Sequence, residues 1–230
     1  NMRQLISDLG KRVLRGPLTE QEIVLYRGIS TTVASAGGDF QEAVEMILEA
    51  MLQSPRFLYR IENQLGDGSR WPVTDYELAS RISFIVCGSP PDDVLLKAAE
   101  SGQLSDPEQL RQQVNRLLTS AKARAQSEQF IIQWLNLDRL GSMRPDRNRF
   151  PDWQDALAED MRQETIDFFM DLVWEQKRPL SDLLNAQFTY LTPSLAKHYG
   201  LKAAGSGKRR YDLSDIPSRG GLLTQASVLT

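Results

Sequence analysis

Four side chains have a type and a setting that raise a question of chemistry: Glu164, Arg81, His198 and Cys87. Glu164 is the most informative. It follows Met161 by three residues and precedes Phe168 by four, so on a helix it shares a stripe with Leu157, Met161, Phe168 and Leu172. A carboxylate among apolar groups must be paired, hydrogen-bonded or protonated. One reading is a general acid or base with a raised pKa. The plainer reading is a structural ion pair, with an arginine whose planar fork satisfies the carboxylate bidentately. Arg81 is the first choice of partner. Arg219 is the second, because the Arg219-Gly220-Gly221 turn can fold back onto the core. Stranding a buried arginine by Glu164→Ala would cost about 3–5 kcal/mol. No second carboxylate is placed by spacing, so a glycosidase-type pair is not argued.

Arg81 lies four residues after Glu77, which suits an exposed helical pair. The alternative is a fork onto an internal carboxylate. Arg60 and Glu62 are two apart and would not share a helix face. His198 is the one imidazole. It reads either as a haem or metal ligand or general base, or as a side chain meeting the last carbonyls of a helix that ends at Gly200. Nothing at ligand spacing joins it, so no structural zinc is expected. Cys87 is the only cysteine, which excludes an internal disulfide and a CxxCH haem attachment. It reads as a small buried hydrophobe. Trp134, Trp153 and Trp174 read as core anchors, with Trp71 partly exposed in a loop. Arg139, Arg144, Arg147 and Arg149 crowd the stretch 136–151. They solvate a loop or meet an anionic partner.

Helices must position these groups. Thr74 and Glu77 stand at capping-box spacing. They open a helix carrying Leu78, Ala79, Ile82, Ile85 and Val86, with Phe84 on the other side. Gly88-Ser89-Pro90-Pro91 stops it. Thr19 and Glu22 form a second box, and Asp106-Pro107 starts another helix. Helical spacing also marks 2–15, 40–52, 57–65, 94–100, 121–135 and 193–199. The longest helix is expected from an Asp152 cap to about residue 176, packed against the 74–87 helix. No apolar alternation persists beyond a few residues, and 202–210 reads as mobile. The fold class is therefore all-α, an irregular multi-helix bundle of roughly eight to ten helices. The Gly66-Asp67-Gly68-Ser69 loop suggests two domains, 1–66 packed on the next and 73–230 as the main one, expected to be truncated at its C-terminus.

The chain has 230 residues, 41% of them hydrophobic, and a net charge of −3. No long basic run exists, which argues against a nucleic-acid partner. No apolar stretch reaches about 18 residues, so no transmembrane segment is expected.

Several motifs stand in one order: SPRFLYRIE (54–62), ELASRISFIVCGSPPDD (77–93), QFIIQWLNL (129–137), Glu164 followed by Phe168-Phe169, LAKHYG (195–200) and RGGLLTQASVLT (219–230). This order resembles an uncharacterised, planctomycete-type, cytochrome-c-associated bacterial protein family. The part up to about residue 62 resembles one domain of unknown function, and the part from about residue 73 resembles most of the next. Arg81, Glu164, His198, Tyr199 and Arg219 match the family pattern. Cys87 departs from it, since the family usually has tryptophan there. The resemblance brings no reaction with it. It implies an extracytoplasmic (periplasmic or cell-surface) location and a multidomain parent with a c-type haem domain, haem being held there and not in this chain. Two functions remain open. One is a non-catalytic helical structural or interaction module that contacts other domains of the same polypeptide and docks the haem domain. The other is part of a hydrolytic or redox enzyme with an inter-helix site near Glu164, Arg81 and His198. A pocket gathering two or more of these groups discriminates them.

Overall fold

Helix ends in this protein are set by side chains that satisfy the first free N–H groups. In the computed structural model, which describes residues 2–62, 73–146, 148–151 and 153–230, the Thr19 and Thr74 capping boxes both close. Asp39 closes a third with Glu42, and Asp106 accepts from both Glu108 and Gln109 ahead of Pro107. The chain divides into two compact units, Asn1–Ala123 and Arg124–Thr230. The division falls within one helix, α8 (Ala121–Trp134). The loop at 66–69 and Trp71 lie outside the described residues.

The first unit contains α1 (Met2–Val13), α2 (Glu20–Ser35), α3 (Phe40–Leu52), the single turn α4 (Pro55–Leu58), α5 (Asp75–Cys87), α6 (Asp93–Glu100) and α7 (Pro107–Leu118). The spacing across 57–65 predicts a longer helix than α4, which stops at Leu58 with Tyr59 extended. Ile6, Leu14, Tyr26, Ile47 and Met51 make one core; Ala79, Cys87, Leu95, Ala98, Leu104 and Leu117 make another. Lys11–Glu100 and Arg12–Asp93 ion pairs tie α1 to α6. The face that α5 buries differs from the expected one. Ala79, Ser80, Ser83 and Cys87 are buried, Leu78, Ile82 and Val86 are half-buried, and Ile85 is exposed. Small side chains let neighbouring backbones approach closely, so they win the innermost positions.

The second unit holds the rest of α8, the single turn α9 (Arg139–Ser142), α10 (Asp155–Met170), strand β1 (Phe188–Leu191), α11 (Pro193–His198), strand β2 (Arg209–Asp212) and the last turn α12 (Ala226–Leu229). Twelve α-helices thus stand among the described residues, several of them single turns, and the architecture is mostly helical. The helix expected to be the longest starts at Asp155 with no side-chain cap on Gln154 and has 16 residues, as many as α2; Asp152 lies outside the described residues. It passes at Asp171–Glu175 into a π-helical turn. The region 202–210 is partly a strand: β1 and β2 pair antiparallel, Phe188 opposite Asp212 and Leu191 opposite Arg209. Each strand has four residues. That is too short for a period-two pattern to stand out, and the pairing depends on partners about twenty residues apart. The core is Phe168, Leu172, Ile131, Phe188 and their neighbours, with Phe168 and Phe188 rings 5.1 Å apart. A second cluster gathers Leu157, Met161, Leu191 and Leu195.

Candidate functional site

The chemistry of the second unit concentrates around Glu164, on α10 between Met161 and Phe168. The carboxylate is 1% exposed. It accepts hydrogen bonds from two hydroxyls: Thr189 Oγ1 on β1 at 2.6 Å, to Oε1, and Tyr199 Oη at 2.5 Å, to Oε2. Tyr199 closes α11, whose start is set by Thr192 accepting from Leu195 N–H and by Pro193 in the first turn. Thr192 in turn donates to Asp160, one turn before Glu164. The Tyr199 hydroxyl also accepts the Ala226 N–H at 2.6 Å, so it joins the carboxylate to the last turn of the chain.

Arg219 lies over the Tyr199 ring, 3.9 Å from its centre, and donates to the Thr224 carbonyl. Its charge favours the ionised carboxylate, yet it forms no ion pair with it. Burial therefore dominates and pushes the Glu164 pKa up to about 7, against the two hydroxyl bonds and the Arg219 charge. Burial also raises the Tyr199 phenol, and the neighbouring Glu164 charge adds to that rise.

Beside this lies a second polar row. Thr165 Oγ1 meets Gln225 Oε1 at 2.8 Å and Ser227 Oγ at 2.5 Å, all buried. The Ser227 carbonyl accepts from Arg139 at 2.9 Å. Gln225 Nε2 has no hydrogen-bond partner among the described residues, nor has Trp174 Nε1. The space lined by Glu164, Thr189, Tyr199, Arg219, Thr224 and Gln225 is about 10 Å³. That is room for about one water and for no substrate.

The other expected residues sit elsewhere. Arg81 belongs to the first unit and forks onto Glu62, with Nε 3.0 Å from Oε1. Its partner is thus neither an internal carboxylate nor Glu164. Arg60 Nε stands 3.9 Å from the same Glu62, because the chain after Leu58 is no longer helical and two-apart side chains can converge. His198 is exposed at the end of α11, its ring 5.8 Å from that of Tyr199. Cys87 is buried, 3.8 Å from the Ser120 hydroxyl. Arg144 turns back onto the carbonyls of Gly141 and Met143, Arg149 is exposed, and Arg147 lies outside the described residues. Trp134 is not a core anchor: it is 56% exposed, stacked on Phe130 with ring centres 5.6 Å apart. Trp153 and Trp174 are half-buried against the two cores.

Sequence reasoning missed Thr189, Gln225 and Ser227, whose roles arise from contacts 25 to 62 residues distant. It also missed Arg15. This residue sits in the left-handed region at φ 61° and is buried. Its guanidinium donates to the carbonyls of Arg56, Phe57 and Tyr59 and lies over the Phe84 ring. An arginine directly before Gly16-Pro17 was the one available signal.

No group of three or more metal-ligating side chains occurs among the described residues. No described helix is long and apolar enough to cross a membrane. No curated protein and no solved structure matches the chain. Two family models do match, in tandem. The one described as PSD5, protein of unknown function (DUF1595), covers residues 1–62. The other covers residues 73–201, more than half of the chain, including Arg81, Glu164 and Tyr199 but not Arg219 or the segment that reaches Tyr199 from the C-terminal side. The chain belongs to the family described as PSD4, protein of unknown function (DUF1592).

Proposed function

We propose that this chain is a non-catalytic helical structural and interaction module of a larger extracytoplasmic bacterial protein. Its partners are other domains of the same polypeptide, among them a c-type haem domain; haem stays in that linked domain, and nucleic acid is not a partner. The observation that carries this reading is the closure around Glu164. This buried carboxylate, its pKa pushed up to about 7, has its hydroxyl donors committed to the fold and a neighbouring space of only about 10 Å³. A catalytic acid needs reach to its substrate, and this carboxylate has none. The exposed Phe130–Trp134 stack supplies the kind of aromatic surface that interfaces favour.

The test is a titration of a purified c-type haem domain onto the isotope-labelled chain, followed by NMR. Saturable binding that shifts the Trp134 indole signal, and that weakens at least tenfold in Trp134→Ala, supports the module. Absence of binding, together with hydrolytic or redox turnover by the chain that Glu164→Gln abolishes, would establish the enzyme reading in its place.

A further inference from the structure

The stretch from Arg219 to Ser227 is the cover over Glu164. Gly220 and Gly221 turn it inward, with Gly221 at φ 67° packed directly on the Leu184 carbonyl. Gly221, Thr224 and Gln225 then line the small space beside the carboxylate, and Ala226 N–H reaches Tyr199 Oη. The cover is held by polar contacts more than by apolar ones: Thr165 to Gln225 and Ser227, Arg139 to the Ser227 carbonyl, Tyr199 to Ala226. Of its residues, Leu222 and Ala226 are buried hydrophobics while Leu223 is exposed.

We propose that this segment is a pH-linked latch, closed while Glu164 carries a proton and released as Glu164 ionises. The physical reason is the missing counter-charge. The ionised carboxylate is buried with two hydroxyl donors and no ion pair, so it gains by reaching water. On its own helix and on β1 it is enclosed by Met161, Phe168 and Phe188, which belong to the cores. Lifting 219–227 withdraws one residue from each core, Leu222 and Ala226, and leaves Met161, Phe168 and Phe188 in place.

The charged and titratable neighbours are few. From α11 comes Tyr199, while His198 beside it is exposed, its ring 5.8 Å from that of Tyr199. The 219 turn brings Arg219, which travels with the latch and opposes release without contacting the carboxylate. β1 offers Thr189, α12 only the Ala226 amide, and α9 only Arg139, spent on the Ser227 carbonyl. On α10 itself, Asp160 is engaged by Thr192 and Asp167 by Lys208. Linkage makes the effect reciprocal: opening lowers the proton affinity of Glu164, so loss of the proton promotes opening.

Hydrogen exchange read by mass spectrometry on the 230-residue chain tests this. Rates are corrected for the intrinsic pH dependence of exchange, and peptides covering 220–228 are compared with one covering 155–170 in α10. With about 7 for the closed state and the ordinary 4.5 for the open one, protection of the latch falls about tenfold from pH 6 to pH 8. Protection of α10 stays constant, and Glu164→Gln flattens the latch response. Equal protection at both pH values, the same fall in α10, or an unaltered fall in Glu164→Gln would overturn the proposal. Should that variant fail to fold, NMR of the unmodified protein decides. The Glu164 carboxyl carbon and the Ala226 amide must titrate with one common midpoint, and independent midpoints would refute the latch.

Discussion

Between pH 5 and pH 8, Glu164 dominates the pH dependence of the described residues. Its folded value of about 7 lies above the ordinary 4.5. A raised carboxylate contributes stability that is complete below the unfolded value and is lost as pH rises through the folded one. Melting temperature should therefore fall between pH 5 and pH 8, by a free energy on the order of 3 kcal/mol, and Glu164→Gln should remove that slope. Thermal melts across the range check it; a rise in stability with pH over this window would contradict it. Glu164→Ala is expected to cost about 2–5 kcal/mol, through two buried hydroxyls losing their acceptor. The mechanism differs from the stranded arginine that the sequence suggests, since Arg219 keeps its Tyr199 and Thr224 contacts. Tyr199→Phe removes one donor to the carboxylate and the acceptor of Ala226 N–H. It should cost about 1–3 kcal/mol, and more at pH 8 than at pH 5, because the bond it breaks is strongest to the ionised form. Denaturant titrations at the two pH values measure the difference.

At the scale of elements, α5 separates capping from packing. Thr74→Ala removes the acceptor for Glu77 N–H at 3.3 Å and should destabilise by about 1 kcal/mol. Ala79 is fully buried on the small-residue face. Ala79→Leu should therefore cost about 1–3 kcal/mol by overpacking, whereas Ile85→Leu, on the exposed side, should be neutral. Chemical denaturation of the three variants checks the ordering, and equal effects at 79 and 85 would mean that the face is wrongly placed. In the second unit, the π-helical turn at Asp171–Glu175 re-aims the chain after α10. It leaves Arg124 over the Trp174 ring and paired with Glu175.

For the whole molecule, a division into two compact units meets a family division at a different place. The contacts part at Ala123, the family matches between residues 62 and 73. The stretch matched by the second family thus contributes α5 to α7 to the first unit and α10, β1 and α11 to the second. With one cysteine and no CxxCH, the purified chain should show no Soret band that survives denaturation, and elemental analysis should find no stoichiometric zinc. Either signal would mean that a ligand set has been assembled from groups the sequence does not place together.

The sequence by itself determined most helices and many of their ends, though not the stop at Leu58 or the start of α10 at Asp155. Capping boxes at Thr19 and Thr74, the cap at Asp106 with Pro107, and stops at Gly88 and Gly200 act over three or four residues, so local spacing is enough to reveal them. It also showed Glu164 inside an apolar stripe, because a helical face is a local property. The identity of its partners was another matter. Thr189, Tyr199 and the Ala226 amide come from three other elements, and the hairpin that carries Thr189 has strands too short to announce themselves. Only the tertiary structure decided that the carboxylate would be met by hydroxyls and not by an arginine, that α5 would bury its small residues, and that Trp134 would face solvent. Each depends on which surfaces meet, and that is settled by close packing between elements distant in the chain.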